Sequence, residues 1–142
     1  MIMKQKMITY GIATCLTIAL FTNCSKTNTP ETIASVQQKI KGKWQVVRET
    51  STFITPTTET NFSKDGDASH YYNFTADSAL IISSPNFGNS KSAYKVTSPT
   101  QLNLGGTPMQ IQTLTNSNCI LYGKYPLGGD GNYNKITVEL KK

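Results

Sequence analysis

Thiol and imidazole groups are sparse in this chain, which holds three cysteines and one histidine among 142 residues. Cys24 is the most pointed of them. It stands where an apolar run ends and a polar one begins, a setting in which a thiol can carry lipid through a thioether. Cys119 sits within Asn118-Cys119-Ile120-Leu121-Tyr122 and reads as a small buried hydrophobe rather than a nucleophile. His70 follows Ser69, with Asp65 and Asp67 in a nearby turn. Adjacent residues of a strand point to opposite faces, so His70 gains no acid–base partner there and is expected at a strand edge on the surface. No second histidine or cysteine pair completes a metal set. Asp65-Gly66-Asp67 lacks the later acidic ligands of a calcium loop. Gly128-Gly129-Asp130-Gly131-Asn132 occurs once, with Tyr133 where an acid would be needed, which makes it a hairpin turn. No catalytic residue, cofactor or metal is expected, and the chain reads as a non-enzyme.

Around Cys24 the layout is that of a bacterial lipoprotein signal. Lys4 and Lys6 precede the apolar run Ile8 to Phe21, Phe21-Thr22-Asn23 leads into the cysteine, and Ser25, Lys26, Thr27 and Asn28 follow. The apolar run of about 14 residues is shorter than the roughly 20 needed to cross a bilayer. Such signals generally carry Leu three positions before the cysteine and Gly, Ala or Ser directly before it, where this chain has Phe21 and Asn23. Cys15 competes for the role, but only about seven apolar residues would precede it, and more apolar sequence would stay on the mature end. The expected division is a signal peptide over 1–23, a lipidated flexible tether over 24–32, and one domain over 33–142. Ser25 in place of Asp resembles lipoproteins sent to the outer membrane. The lack of an acidic cluster after Cys24 leans toward the periplasmic face.

Removing residues 1–23 leaves 119 residues, enough for one core, and takes away Lys4 and Lys6, lowering the formal charge from +6 to +4. The remaining positive charges are scattered, with Lys39-Lys41-Lys43 the only cluster. A nucleic-acid reader concentrates basic and aromatic residues on one face, so no nucleic-acid partner is expected; the membrane, reached through the lipid anchor, is. With Cys119 alone left after processing, no internal disulfide can form and the exported fold must rely on its core.

Thr29-Pro30-Glu31 offers a helix start, and Ile33, Val36, Gln37 and Ile40 follow at helical spacing, predicting one short helix at about 31–41 that ends near Gly42. Beyond Gly42 the period becomes two. Trp44 and Val46, Tyr72 and Phe74, Leu80 and Ile82, Tyr94 and Val96, Leu102 and Leu104, Met109 and Ile111, Ile120 and Tyr122, and Ile136, Val138 and Leu140 mark about eight strands. Turn residues such as Ser84-Pro85-Asn86, Ser98-Pro99, Gly105-Gly106 and Asn116-Ser117-Asn118 separate them. Short turns mean antiparallel hairpins; the strands either curl into a small barrel, which would remove exposed edges, or stay a strongly twisted open sheet. The Thr- and Ser-rich stretch at about 51–69 and the Gly-rich one at 123–132 read as loops or lids. Asp77-Ser78-Ala79, in a turn, resembles a Bacteroidetes O-glycosylation motif at Ser78.

Ile40-Lys41-Gly42-Lys43-Trp44, then Tyr72-Asn73-Phe74-Thr75-Ala76-Asp77, Tyr94-Lys95-Val96, Leu102-Asn103-Leu104 and Ile111-Gln112-Thr113-Leu114-Thr115 follow an order that resembles the lipocalin-like lipoproteins of Bacteroidetes, over roughly residues 36–142. Gly42-x-Trp44 is similar to the Gly-x-Trp signature of the first lipocalin strand. The resemblance implies an all-β, up-and-down antiparallel barrel of about eight strands with Trp44 closing its bottom. Full lipocalins add an arginine over this tryptophan, whereas the last strand here offers Lys141 and Lys142. A small apolar or amphipathic ligand is then expected inside, lined by Tyr71, Tyr72, Phe74, Tyr94 and Tyr122. The competing expectation is a solidly packed barrel acting as an interaction or accessory module of an envelope complex. A void of a few hundred Å³ separates the two.

Overall fold

A computed structural model describes residues 30–142. Helix α1 (Ile33–Ile40) precedes nine strands: β1 (Gly42–Ile54), β2 (Glu59–Asp65), β3 (Tyr71–Phe74), β4 (Ala79–Ser84), β5 (Gly88–Ser98), β6 (Gln101–Leu104), β7 (Thr107–Leu114), β8 (Asn118–Pro126) and β9 (Tyr133–Lys141). All pair antiparallel in one sheet of order β2-β1-β3-β4-β5-β6-β7-β8-β9, and β1 also pairs with β9. Eight strands therefore close into a barrel, with β2 as an extra strand. Strand β1 makes this possible by its length. One edge runs along β9 from Gln45 to Ile54. The other pairs first with β3, from Gly42 to Gln45, and then with β2, from Arg48 to Ile54.

The helix begins at Ile33, with Thr32 rather than Thr29 as its cap, because a capping box satisfies its first amides: Thr32 Oγ1 accepts from the Ser35 amide at 3.1 Å and Ser35 Oγ from the Thr32 amide at 3.1 Å. Its buried face, Val36 and Ile40, packs into one end of the barrel against β5 and β7. Trp44 is fully buried there, and its indole Nε1–H donates to the Ile40 carbonyl at 2.6 Å. The Lys142 ammonium donates to the Lys39 carbonyl at 2.8 Å and lies 4.4 Å from the Trp44 ring centre. Two of the carbonyls that a helix C-terminus leaves unpaired are thus satisfied, one by an indole and one by a cation. Lysine does the covering where the resemblance would have placed arginine. Gly42, at φ +109°, takes a conformation that side chains other than hydrogen resist as the chain turns from helix into β1.

Above this floor the lower barrel is filled. Phe74 and Tyr94 stack edge to face at 5.1 Å among Leu80, Val96, Leu102, Cys119 and Leu140. The stretch 51–69, expected as a loop, is largely strand, whereas 123–132 is strand only as far as Pro126 and the expected loop from 127 to 132. Residues 51–54 continue β1, 59–65 form β2, and β8 runs through Pro126. Threonine-rich segments have few large apolar residues to reveal a period, yet β-branching suits them to an extended backbone. The true turns there are Thr55–Thr58, closed by the Thr55 amide on the Thr58 carbonyl at 2.9 Å, the turn after β2 closed by the His70 amide on the Asp67 carbonyl at 3.0 Å, and the loop 127–132.

Candidate functional site

Strand direction puts the β1–β2 tip, the β4–β5 and β6–β7 turns and the loop 127–132 at the end opposite α1. That end is open. A cleft of about 520 Å³ lies there, lined by Glu49, Ser51, Phe62, Lys64, Tyr72 and Ile136 among others. A second hollow of about 230 Å³ shares Tyr72 and Ile136 with it and continues over Ile82, Leu104, Met109 and Val138. The walls are apolar low in the barrel and become mixed toward the rim.

A β-bulge decides which side chains enter this cleft. Val46 pairs with Leu140 and Arg48 with Glu139, leaving Val47 as the extra residue. The bulge is held at two successive residues from the β2–β3 edge: the Val46 amide donates to the His70 carbonyl at 2.9 Å, and the Gly66 amide to the Val47 carbonyl at 2.9 Å. Unbroken alternation from Trp44 and Val46 would turn Arg48 inward. With one residue inserted, parity flips. Arg48 points out and pairs with Asp65 at 2.8 Å, while Glu49 shares the cleft with Tyr72.

Glu49, His70 and Tyr72 converge beneath the cleft. The Tyr72 hydroxyl donates to Glu49 Oε1 at 3.0 Å, and His70 Nε2 stands 3.5 Å from the same oxygen. Burial first, and the Glu49 carboxylate second, push the Tyr72 phenol far above its ordinary range, which keeps it a neutral donor. His70 is 3% exposed, and its Nδ1 has no hydrogen-bond partner among the described residues. The surface position expected for it is therefore corrected: alternation in β3 places His70 on the inward side with Tyr72, below the β1–β2 arm. Higher up, Ser51 Oγ donates to Asn134 Oδ1 at 3.0 Å, and Asn134 Nδ2 donates to the Tyr125 hydroxyl at 2.9 Å. This network satisfies Asn134, which is buried.

Of the five aromatic residues expected to line a cavity, Tyr72 alone lines the cleft. Phe74 and Tyr94 are inside but belong to the packed floor, where the Tyr94 hydroxyl donates to the Thr75 carbonyl at 3.0 Å. Tyr71 and Tyr122 are corrected to the outer face. Tyr71 lies under the Lys43 ammonium at 3.8 Å. Tyr122 alternates with the buried Leu121 and Gly123 and faces a shallow outer hollow with Gln110 and Lys124. Glu49, Ser51, Phe62 and Lys64 line the cleft, and His70 lies beneath it, with no signal in the sequence to mark them, because the bulge and the second arm strand leave no periodic pattern. Gly42 opens β1, and Trp44 lies two residues further on with its indole on the Ile40 carbonyl. Burial pushes the Cys119 thiol up to about 12, in keeping with a packing role. Ser78 is exposed in the β3–β4 turn with φ +62°. Cys24, the signal over 1–23 and the tether as far as residue 29 lie outside the described residues.

Among the described residues no group of three or more His, Cys, Asp or Glu side chains is arranged to hold a metal ion, and no helix is long and apolar enough to cross a membrane. Comparison of the chain with protein-family models gives no match, and comparison with curated proteins gives none either, so what this barrel does has to be argued from the cleft itself.

Proposed function

We propose that this chain is an envelope protein of the lipocalin-like kind found in Bacteroidetes lipoproteins, lipid-anchored through Cys24 in the outer membrane and facing the periplasm. Its barrel binds one small apolar or amphipathic molecule without converting it. The observation that carries the ligand half is the cleft of about 520 Å³ standing open above a filled floor, within the size range of small-molecule sites. The non-enzymatic reading draws on one contact: the Ser51 hydroxyl is committed to Asn134 rather than aimed at His70, which disfavours a serine–histidine pair at this wall. With α1 at the closed end, an anchor ahead of it leaves the mouth pointing away from the anchoring membrane.

Two measurements test the halves separately. Radiolabelled palmitate should enter the wild-type chain and fail to enter Cys24→Ala; label surviving in that variant ends the anchor assignment. Native mass spectrometry of protein taken from its own cells should show a bound small molecule, and bare protein throughout would count against carriage.

A second reading, an interaction module of an envelope complex, is favoured by one feature. Phe87 is 89% and Phe62 58% exposed, and both sit at the open end with Leu127. A ring of exposed apolar tips around a rim suits contact with a protein. Cross-linking from the rim that captures a stoichiometric partner, together with empty protein in the mass spectrometer, would select this reading.

A further inference from the structure

We infer that the cleft selects a zwitterionic head group carried on a single apolar chain. This rests on the reading of the barrel as a small-molecule carrier. Glu49 and Lys64 are direct partners in the β1–β2 register and both line the cleft, so a carboxylate and an ammonium stand side by side on one wall. They are not spent on each other: the three ion pairs among the described residues do not join Glu49 to Lys64. Glu49 Oε1 takes the Tyr72 hydroxyl, while Oε2 accepts no hydrogen bond from the described residues. Its side chain is 32% exposed, open to the cleft yet partly shielded from water, where a charge contact is stronger than at a free surface.

The head group's charge follows from this pair. A purely cationic head is drawn to Glu49 and repelled by Lys64. An anionic head meets the reverse. A neutral head leaves both side chains to water and gains from neither. A head with both signs a few ångströms apart satisfies the two together, and mismatched heads are rejected by the repulsive member, which is how charge confers specificity. The tail has a path: Tyr72 and Ile136 belong to both hollows and lead from the charged wall to Ile82, Leu104 and Met109.

The test is calorimetric titration of the full chain with monomeric dodecyl amphiphiles that differ only in the head: dodecyl sulfobetaine and dodecylphosphocholine as zwitterions, dodecyltrimethylammonium, dodecanoate and dodecyl maltoside as controls. At least one zwitterion should bind about tenfold or more tighter than all three controls. Glu49→Gln, which can still accept the Tyr72 hydroxyl, should move the preference to dodecanoate. Lys64→Gln should move it to dodecyltrimethylammonium. Lys64 is exposed, so its variant keeps the test sharp even if Glu49→Gln folds poorly by circular dichroism. Equal binding of all heads, or variants that leave the order unchanged, overturns the head-group assignment and spares the carrier reading. No binding of any dodecyl chain overturns both.

Discussion

Gly66 is the smallest residue on which the cleft depends. A Cβ built there would stand 1.9 Å from the Val46 carbonyl oxygen, a backbone atom that cannot step aside, and the Gly66 amide pins the bulge that turns Glu49 inward. Gly66→Ala should cost about 2 kcal/mol or more by urea unfolding and weaken any ligand bound near Glu49; a variant with unchanged midpoint would show that the bulge is not held from this side. Cys119 supplies a pH test. Burial raises its thiol to about 12 from 9.0, so the folded state keeps the proton longer than the unfolded chain does. The stability this contributes is fully present below about pH 9.0 and is lost as pH climbs toward 12. Wild-type protein should lose more stability between pH 8 and alkaline pH than Cys119→Ala, and Ellman's reagent should label Cys119 only as the chain unfolds. The Tyr72 phenol is shifted in the same direction, so part of the alkaline loss should persist in the variant.

At the scale of elements, α1 and the β1–β2 arm play opposite parts. The helix seals the floor through Ile40, which is fully buried, and through its last carbonyls, taken by Trp44 and Lys142. Ile40→Ala should cost about 2–5 kcal/mol, whereas Lys142→Met, which removes one exposed cation and its carbonyl contact, should cost about 1 kcal/mol. Equal losses in the two variants would mean that the cation over Trp44, not apolar burial, secures the helix. The arm has little under it. All seven residues of β2 are exposed, and the strand is paired on one side only. Its amides should exchange with deuterium at least about tenfold faster than those of β8, which is paired on both sides. Ligand in the cleft should slow that exchange, since Phe62 and Lys64 belong to the wall.

For the whole molecule, closure between β1 and β9 joins the first strand of the barrel to the last, so the floor cannot open without breaking the ladder. Trp44 is the chain's one tryptophan and lies in that floor. Its fluorescence and the far-ultraviolet circular dichroism should therefore report one coincident thermal transition. A ligand held at the mouth should raise that transition while leaving the native emission of Trp44 unchanged. A shift in native emission would place the ligand in the floor instead.

The alternation after Gly42 and the turn residues made antiparallel strands with a short leading helix legible from the amino acids alone, because both periods are local properties of a half-buried backbone; closure into a barrel was implied only by the family resemblance of the Gly42-x-Trp44 start. The inward facing of Trp44, Phe74 and Tyr94 followed from the same signal, but not that Phe74 and Tyr94 would be packed into the floor instead of lining a cavity. The cleft did not. One extra residue at Val47 reversed which side chains of β1 face inward, and a threonine-rich stretch without apolar rhythm became its outer wall. Both outcomes are set by partners distant in the chain: His70 and Gly66 hold the bulge, and Glu49 meets Lys64 across a hairpin. A bulge is stabilised by hydrogen bonds that form only when the strands come together, so only the tertiary structure could put a carboxylate, an ammonium and a tyrosine around one opening.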